Sequence, residues 1–472
     1  MRRPGRPDER FRDTVRRAFA EFLGLPTLIV IAFLAVAIGS YVLDRGSAGS
    51  SDPVRRALER HLFRSPEATR NLLGTVAGGI ITVTSITISL LLVAIQQSAS
   101  TMTAQVFDQF LRRKANQFCF GFLVGLAVFA LITLATVTPG FTPVYGGTMT
   151  LLLTAVALLL LIFLMYISVN QMRPAVIVAS VHDHTIAAWA GERAALRRVR
   201  RTPARLDARA EPVHADRHGF VTHLDFDAMA RAAEAAGKGA EVSLRVLIGS
   251  FVSFGDAVAE LRGAEPSKAE AARGAVRRAI RLERKRDFET DACYGILQLE
   301  TIGWTSVSSS KSNPMPGILC IHALRDLLAR WSDEHGNAEA EREAAAREHP
   351  PLPVVYDDEP FDPVFDALES LGVAASESMQ HQTLAEILEA LAVTYARVPI
   401  AWRPRANAMV LRLLSTLGDH VLTAKLETAV SRLGTALREA GELTTAAALR
   451  DAADELAASV GHLGARSTRG ES

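Results

Sequence analysis

Four stretches of this chain carry no charged side chain over about twenty residues each: Leu25–Leu43, Leu72–Ile95, Phe118–Val137 and Met149–Val169. At 1.5 Å rise per residue, about twenty helical residues cross the roughly 30 Å of hydrocarbon in a bilayer. Backbone polar groups have no water to bond there, so a single span must be helical. Four such windows within 170 residues set the expectation of a mainly α membrane protein. The remaining 300 or so residues read as a soluble α+β domain, with a small β-rich module followed by a helical region.

Arginine placement orients the spans. Seven arginines precede the first (Arg2, Arg3, Arg6, Arg10, Arg12, Arg16 and Arg17), and Arg112, Arg113 and Lys114 sit between the second and third. The loop Thr138–Thr148 has no basic residue, whereas Asp44–Asn71 mixes six arginines with four acids. Positive charge is retained on the cytoplasmic side, which predicts cytoplasmic N- and C-termini in an inner (plasma) membrane. Arg16-Arg17-Ala18-Phe19 hints at a twin-arginine signal, but the following apolar stretch is long and no small-x-small cleavage site follows directly. Arginine far outnumbers lysine and alanine is abundant, as in proteins of GC-rich bacteria.

The second span is the unusual one. Thr75, Thr82, Ser89 and Gln96 recur every seven residues, with Gly78, Gly79 and Ser85 close to the same face. A seven-residue spacing holds side chains on one stripe of a helix. Small and hydroxylated residues there serve close helix–helix packing, including assembly with other copies of the chain. They also serve as the lining of a hydrated pathway. The absence of intramembrane charge argues against a proton-coupled transporter. Ser98–Gln117 continues the helical pattern through Met102, Val106 and Phe110, as an extension of span two that folds back into span three.

Residues 1–24 form the N-terminal segment, 25–170 the transmembrane domain and 171–210 a connecting helix. The β-rich module covers 211–263, with short strands around one helix, Asp227–Ala236. A helical region follows over 264–335, containing a helix from Lys268 to Gly303, a Ser/Asn/Pro loop at Trp304–Pro316 and a helix at Gly317–Asp333. A charged, Pro-ended linker spans 336–353, and helices fill 354–472, over Asp362–Val398, Pro404–Leu417 and Thr423–Val460.

Chemical signatures are few. Cys119, Cys293 and Cys320 are far apart, which argues against a disulfide framework. His182, His184, His214, His218 and His223 follow no zinc spacing, so no metal is expected. The net charge of +1 gives no nucleic-acid footprint. No phosphate loop, HExxH or nucleophile–base pair stands out, and neither enzyme activity nor a cofactor is expected. Gly249–Asp256 is similar to the turn of lipoyl-like sandwich modules but lacks their lysine, which leaves turn geometry. Arg197, Arg198, Arg200 and Arg201 read as a solvated helix face or a contact with anionic headgroups.

Two groups of segments resemble the bacterial predicted membrane proteins of domain-of-unknown-function family 2254. One is TVAGGIITVTSITISLLLVAIQQSAS with FLRRKANQFCFGFLVG; the other is HGFVTHLD, GSFVSFG, RDFETDACYGILQLETI and SSSKSNPMPG. The resemblance implies an Arg-x4-Asp-x3-Gly helix before an Asn-Asp-Pro loop, onto which Arg286, Asp291, Gly295 and Gln298 fall. Ser312-Asn313-Pro314 stands in place of Asn-Asp-Pro, Asp287 and Thr290 replace Thr and Gln, and Ile167–Asn170 lacks the paired histidines of many members. Five residues apart on one helix, Arg286 and Asp291 are poorly placed to pair. They are expected to reach other partners, anchoring the loop or holding a ligand together with Gln298, Asn313 and Pro314. The resemblance implies topology more than chemistry. The sequence therefore predicts a homo-oligomeric channel-like protein in contact with lipid, or a membrane-anchored scaffold or sensor without a pore.

Overall fold

The computed structural model describes residues 23–47, 53–101, 113–171, 173–204, 209–308, 313–348, 350–358, 361–417 and 421–459. The chain divides into two compact units, with the boundary after Val176.

In the first unit, α1 (Gly24–Gly46), α3 (Pro66–Thr101), α4 (Lys114–Ala135) and α5 (Val144–Gln171) are the long helices, and a short α2 (Pro53–His61) joins α1 to α3. Each long helix contains a segment apolar and long enough to cross a membrane: Gly24–Gly46, Pro66–Ser89, Lys114–Ala135 and Val144–Ile167. Met102, Val106 and Phe110, the rest of the expected extension of span two, lie outside the described residues.

The spans pack around Phe33, Ala37, Ile80, Leu123, Leu126, Phe129 and Ala157. Spans one and three meet most closely, through Gly121 and Gly125. A Cβ at Gly125 would stand 2.4 Å from the Phe33 ring, and one at Gly121 would stand 2.8 Å from the Pro26 Cα. This small-xxx-small spacing lets two backbones approach where lipid removes the usual hydrophobic drive.

Asp44, at the end of α1, is fully buried. Its carboxylate accepts hydrogen bonds from the Tyr145 and Gly146 amides, both at 2.9 Å. These are orphan N–H groups of the first turn of α5, where a negative charge is favoured. One acid thus ties the end of span one to the start of span four.

In the second unit, α6 (Pro174–Leu196) leads into β1 (Ala210–His214), β2 (Gly219–Leu224), α7 (Phe226–Ala236), β3 (Glu241–Leu244), β4 (Phe251–Val252) and β5 (Ala257–Arg262). After these come α8 (Pro266–Ala279), β6 (Ile280–Glu283), α9 (Ala292–Val307), α10 (Met315–Glu348) and β7 (Val354–Val355). The chain ends in α11 (Phe361–Glu377), α12 (His381–Thr394), α13 (Arg403–Leu417), α14 (Ala424–Glu439) and α15 (Leu443–Ser459). One sheet has the order β1-β5-β3-β7, antiparallel except for β3 with β7; the other is antiparallel β4-β2-β6. Asp225 caps α7 by accepting from the Ala228 amide at 2.8 Å.

Several expected elements differ. The helix expected over Lys268–Gly303 is interrupted: Ile280–Glu283 pairs as β6 with β2, and residues 284–291 form a loop. Ile280 is a β-former, and pairing with β2 outweighs the helical bias of Leu282 and the charged residues around it. The expected linker is largely helix, since α10 continues to Glu348. Val354 and Val355 then add a buried edge strand beside Val242 and Ser243. The single helix expected over Asp362–Val398 breaks where Met379 adopts φ +57°, a left-handed terminus reached without glycine. Thr423–Val460 likewise divides at Gly441, φ +85°.

Candidate functional site

Span two presents two unlike faces. Leu73, Ala77, Ile80 and Thr84 are buried among the other spans, at the spacing of one helical face. Thr75, Gly78, Gly79, Thr82, Ser85 and Ser89 are exposed, and nothing stands within 4 Å of a Cβ built at either Gly78 or Gly79. The Thr75, Thr82 and Ser89 hydroxyls donate to the carbonyls of Asn71, Gly78 and Ser85 at 2.8–2.9 Å. Each hydroxyl is thus satisfied one turn back along its own helix. Gln96 continues the helix, but its side chain lies outside the described residues.

The second set of residues gathers at the start of α9. Asp291 is the N-cap, accepting from the Tyr294 amide at 2.8 Å. Because residues 284–291 form a loop, Arg286 folds back on Asp291 and donates from Nε at 2.7 Å and from Nη2 at 2.8 Å. The expectation that these two reach other partners is overturned, since its premise was a continuous helix. The guanidinium also lies over the Tyr294 ring at 4.9 Å from the centroid. A bidentate pair around an almost wholly buried carboxylate is strong where both charges are retained.

Gly249 closes the other side. With φ +84°, it brings bare backbone against the pair; a Cβ would come within 2.4 Å of both Arg286 Nη2 and Asp291 Oδ2. The Gly249 amide donates to the Val221 carbonyl at 2.8 Å, which fixes this turn to β2. The GSFVSFG motif is therefore a turn, as its glycines suggest, and also a seat for the ion pair.

Behind the pair lies a second buried group that sequence reasoning missed. Glu192, on α6, accepts from the Ala292 amide at 3.2 Å, another orphan donor of α9. Burial first, then the nearby Asp358 charge, pushes the Glu192 carboxyl well above the usual glutamate range. Tyr356 donates its hydroxyl to Asp358 at 3.0 Å and accepts from the Ile248 amide at 3.3 Å. Burial, Asp358 and Glu192 push that phenol up as well. The Cys293 thiol is raised strongly by burial and by the same acids, so it stays protonated and is not an activated nucleophile. A reader of the sequence had no cue to these groups, since Glu192, Cys293, Tyr356 and Asp358 fit no shared motif.

The expected ligand set is divided between the two ends of α9. Asn313 and Pro314 stand by its C-terminal end, where Ser306 donates to the Asn313 carbonyl at 2.6 Å. Asn313 Oδ1 and the Pro314 carbonyl accept from the Met315 and Ile318 amides and so open α10. Sixteen residues of α9 separate this end from Arg286 and Asp291, or about 24 Å at 1.5 Å per residue. Gln298 lies between, buried, with its Oε1 lacking a hydrogen-bond partner among the described residues. Gly295 admits Thr185 of α6 so closely that any Cβ would overlap its hydroxyl. Among the described residues, no group of three or more His, Cys, Asp or Glu side chains is placed to hold a metal.

Four apolar spans followed by an α+β unit define an integral membrane protein. The family described as "Predicted membrane protein (DUF2254)" matches residues 20–392, most of both units, and the chain belongs to it. No curated protein and no solved structure matches the chain.

Proposed function

We propose that this is a homo-oligomeric, channel-like protein of a bacterial inner membrane, with both termini cytoplasmic and the second unit acting as its regulatory domain. The observation that carries this reading is the outward face of span two. Thr75, Gly78, Gly79, Thr82, Ser85 and Ser89 occupy the side that the other spans leave uncovered, while the opposite side packs inward. Hydroxyl oxygens already bonded to backbone carbonyls keep a lone pair free to meet a partly dehydrated solute. Gly78 and Gly79 let helices from other copies approach.

A second reading, a membrane-anchored sensor without a pore, draws on the buried acids of the second unit. Glu192 takes up a proton more readily than an ordinary glutamate and bonds the first turn of α9, as a sensor of conditions would.

Single cysteines at Thr75, Thr82 and Ser89, in a chain whose Cys119 has been replaced, separate the two readings. A membrane-impermeant thiol reagent should label all three in the pathway case and leave Leu73 and Ala77 cysteines silent. Silence at all three, with no conductance in a reconstituted bilayer, would leave the sensor reading standing alone.

A further inference from the structure

The short helix α2 and the turn after it have two stripes. Val54, Leu58 and Leu62 recur every fourth residue along one side, and Arg56, Arg60 and Arg64 do so along the other. Residues two apart on a helix point about 200° from each other, so within α2 Val54 and Leu58 oppose Arg56 and Arg60, while Leu62 and Arg64 follow in the turn. Val54 and Leu62 expose their apolar side chains, and the three arginines are exposed as well.

This segment is held firmly to the ends of the spans. Arg55, between the stripes, is buried and donates to the Asp44 carbonyl at 3.0 Å, to the Ser47 hydroxyl at 2.5 Å and to Glu59 Oε1 at 2.9 Å. Phe63 is buried against Gly147, where a Cβ would stand 2.6 Å from the ring. Arg70 reaches across to the Val137 carbonyl at 3.1 Å, which places the turn between spans three and four at the same end.

A cleft of about 510 Å³ opens there, lined by Arg56, Glu59, Arg60, Phe63, Arg64 and Thr142. Three guanidiniums face one carboxylate, and that carboxylate is already engaged by Arg55. Neither Arg60 nor Arg64 is paired with a carboxylate among the described residues. Their local interaction is the Arg64 Nε donation to the Arg60 carbonyl at 3.1 Å.

We infer that this cleft binds the headgroup phosphate of an anionic phospholipid. Guanidinium forks match phosphate oxygens two at a time and are more weakly hydrated than ammonium. The cleft also sits at the end of the membrane-spanning helices, the level at which a phosphodiester lies. A free anion shares the phosphate chemistry but has no reason to gather at the end of the spans, where headgroups are concentrated.

The test uses the full chain in detergent, with phosphatidylglycerol, phosphatidylcholine or inorganic phosphate added, read by native mass spectrometry and thermal melting. Wild type should retain phosphatidylglycerol and melt higher with it, and should show neither effect with phosphatidylcholine or inorganic phosphate. The double variant Arg60→Gln, Arg64→Gln should retain phosphatidylglycerol about thirtyfold less, the scale set by two basic groups at an anionic surface. The double variant Arg60→Lys, Arg64→Lys should fall between, because charge remains and the fork is lost. Arg113→Gln with Lys114→Gln, at the other end of span three, should bind as wild type. Equal retention by the first double variant, with its elution profile unchanged, would overturn the proposal. So would stabilisation of wild type by inorganic phosphate with nothing added by the lipid.

Discussion

Arg286 and Asp291 are five residues apart and still form a two-pronged ion pair, with Nε and Nη2 at 2.7 and 2.8 Å from the two carboxylate oxygens. The pair exists because the segment between them is a loop, and the same carboxylate then caps α9 through the Tyr294 amide. One acid thus holds a loop, an arginine and a helix start together.

Replacing Asp291 should be costly. Asp291→Ala removes the cap and leaves Arg286 without its counter-charge in a largely buried position, a loss of about 3–5 kcal/mol for a pair of this kind. Gly249→Ala should destabilise by about 2–4 kcal/mol, from a strained φ and from crowding of the same pair. Thermal melting of the full chain in detergent, paired with proteolysis of the second unit, reads both. Wild-type melting in either variant would show that the pair is not structural.

The raised pKa of Glu192 gives stability a sign. The folded state keeps this proton where the unfolded chain has lost it, so N binds more protons than U and stability falls as pH rises. The contribution is fully present below the unfolded value, about 4.3, and is lost as pH climbs through the higher folded value. Glu192→Gln, which cannot ionise, should flatten this slope above the unfolded value. Melting midpoints across that range, wild type minus variant, should diverge towards high pH; parallel curves would refute it.

Glycines in spans two and three should behave oppositely. Gly125→Leu must displace Phe33 and should unfold or loosen the single chain. A Cβ at Gly78 or Gly79 meets nothing within 4 Å and both positions are exposed, so Gly78→Leu and Gly79→Leu should fold normally and lose only assembly. Light scattering on detergent-solubilised variants gives the assembly state, and melting gives the fold. Wild-type assembly in both span-two variants would assign that stripe to lipid.

Topology is open to a direct check. Reporter fusions after Arg60, Arg113, Gly140 and Ser472 should read outside, inside, outside and inside, following the basic residues around the spans. A C-terminal reporter on the outside would reverse the assignment.

The four spans were legible in the residues alone. Crossing hydrocarbon requires a fixed length of charge-free helix, and that demand is local in sequence. The small module was legible for a similar reason: its strand segments show alternation, with glycines at the breaks around one helix, while the Asp225 cap of α7 emerged only from the structure. Tertiary structure decided the rest. Gly78 and Gly121 look alike in a string of letters, yet only the second packs inside the chain, because Pro26 and Ile29 are brought to it by a different helix. Ile280–Glu283 and Val354–Val355 became strands through their neighbours β2 and β3, against the pattern around them. The buried cluster at α9 draws Glu192, Gly249, Arg286, Asp291, Tyr356 and Asp358 from four separate stretches. Its charges are set by burial and by partners far away in sequence, and neither exists until the chain has folded.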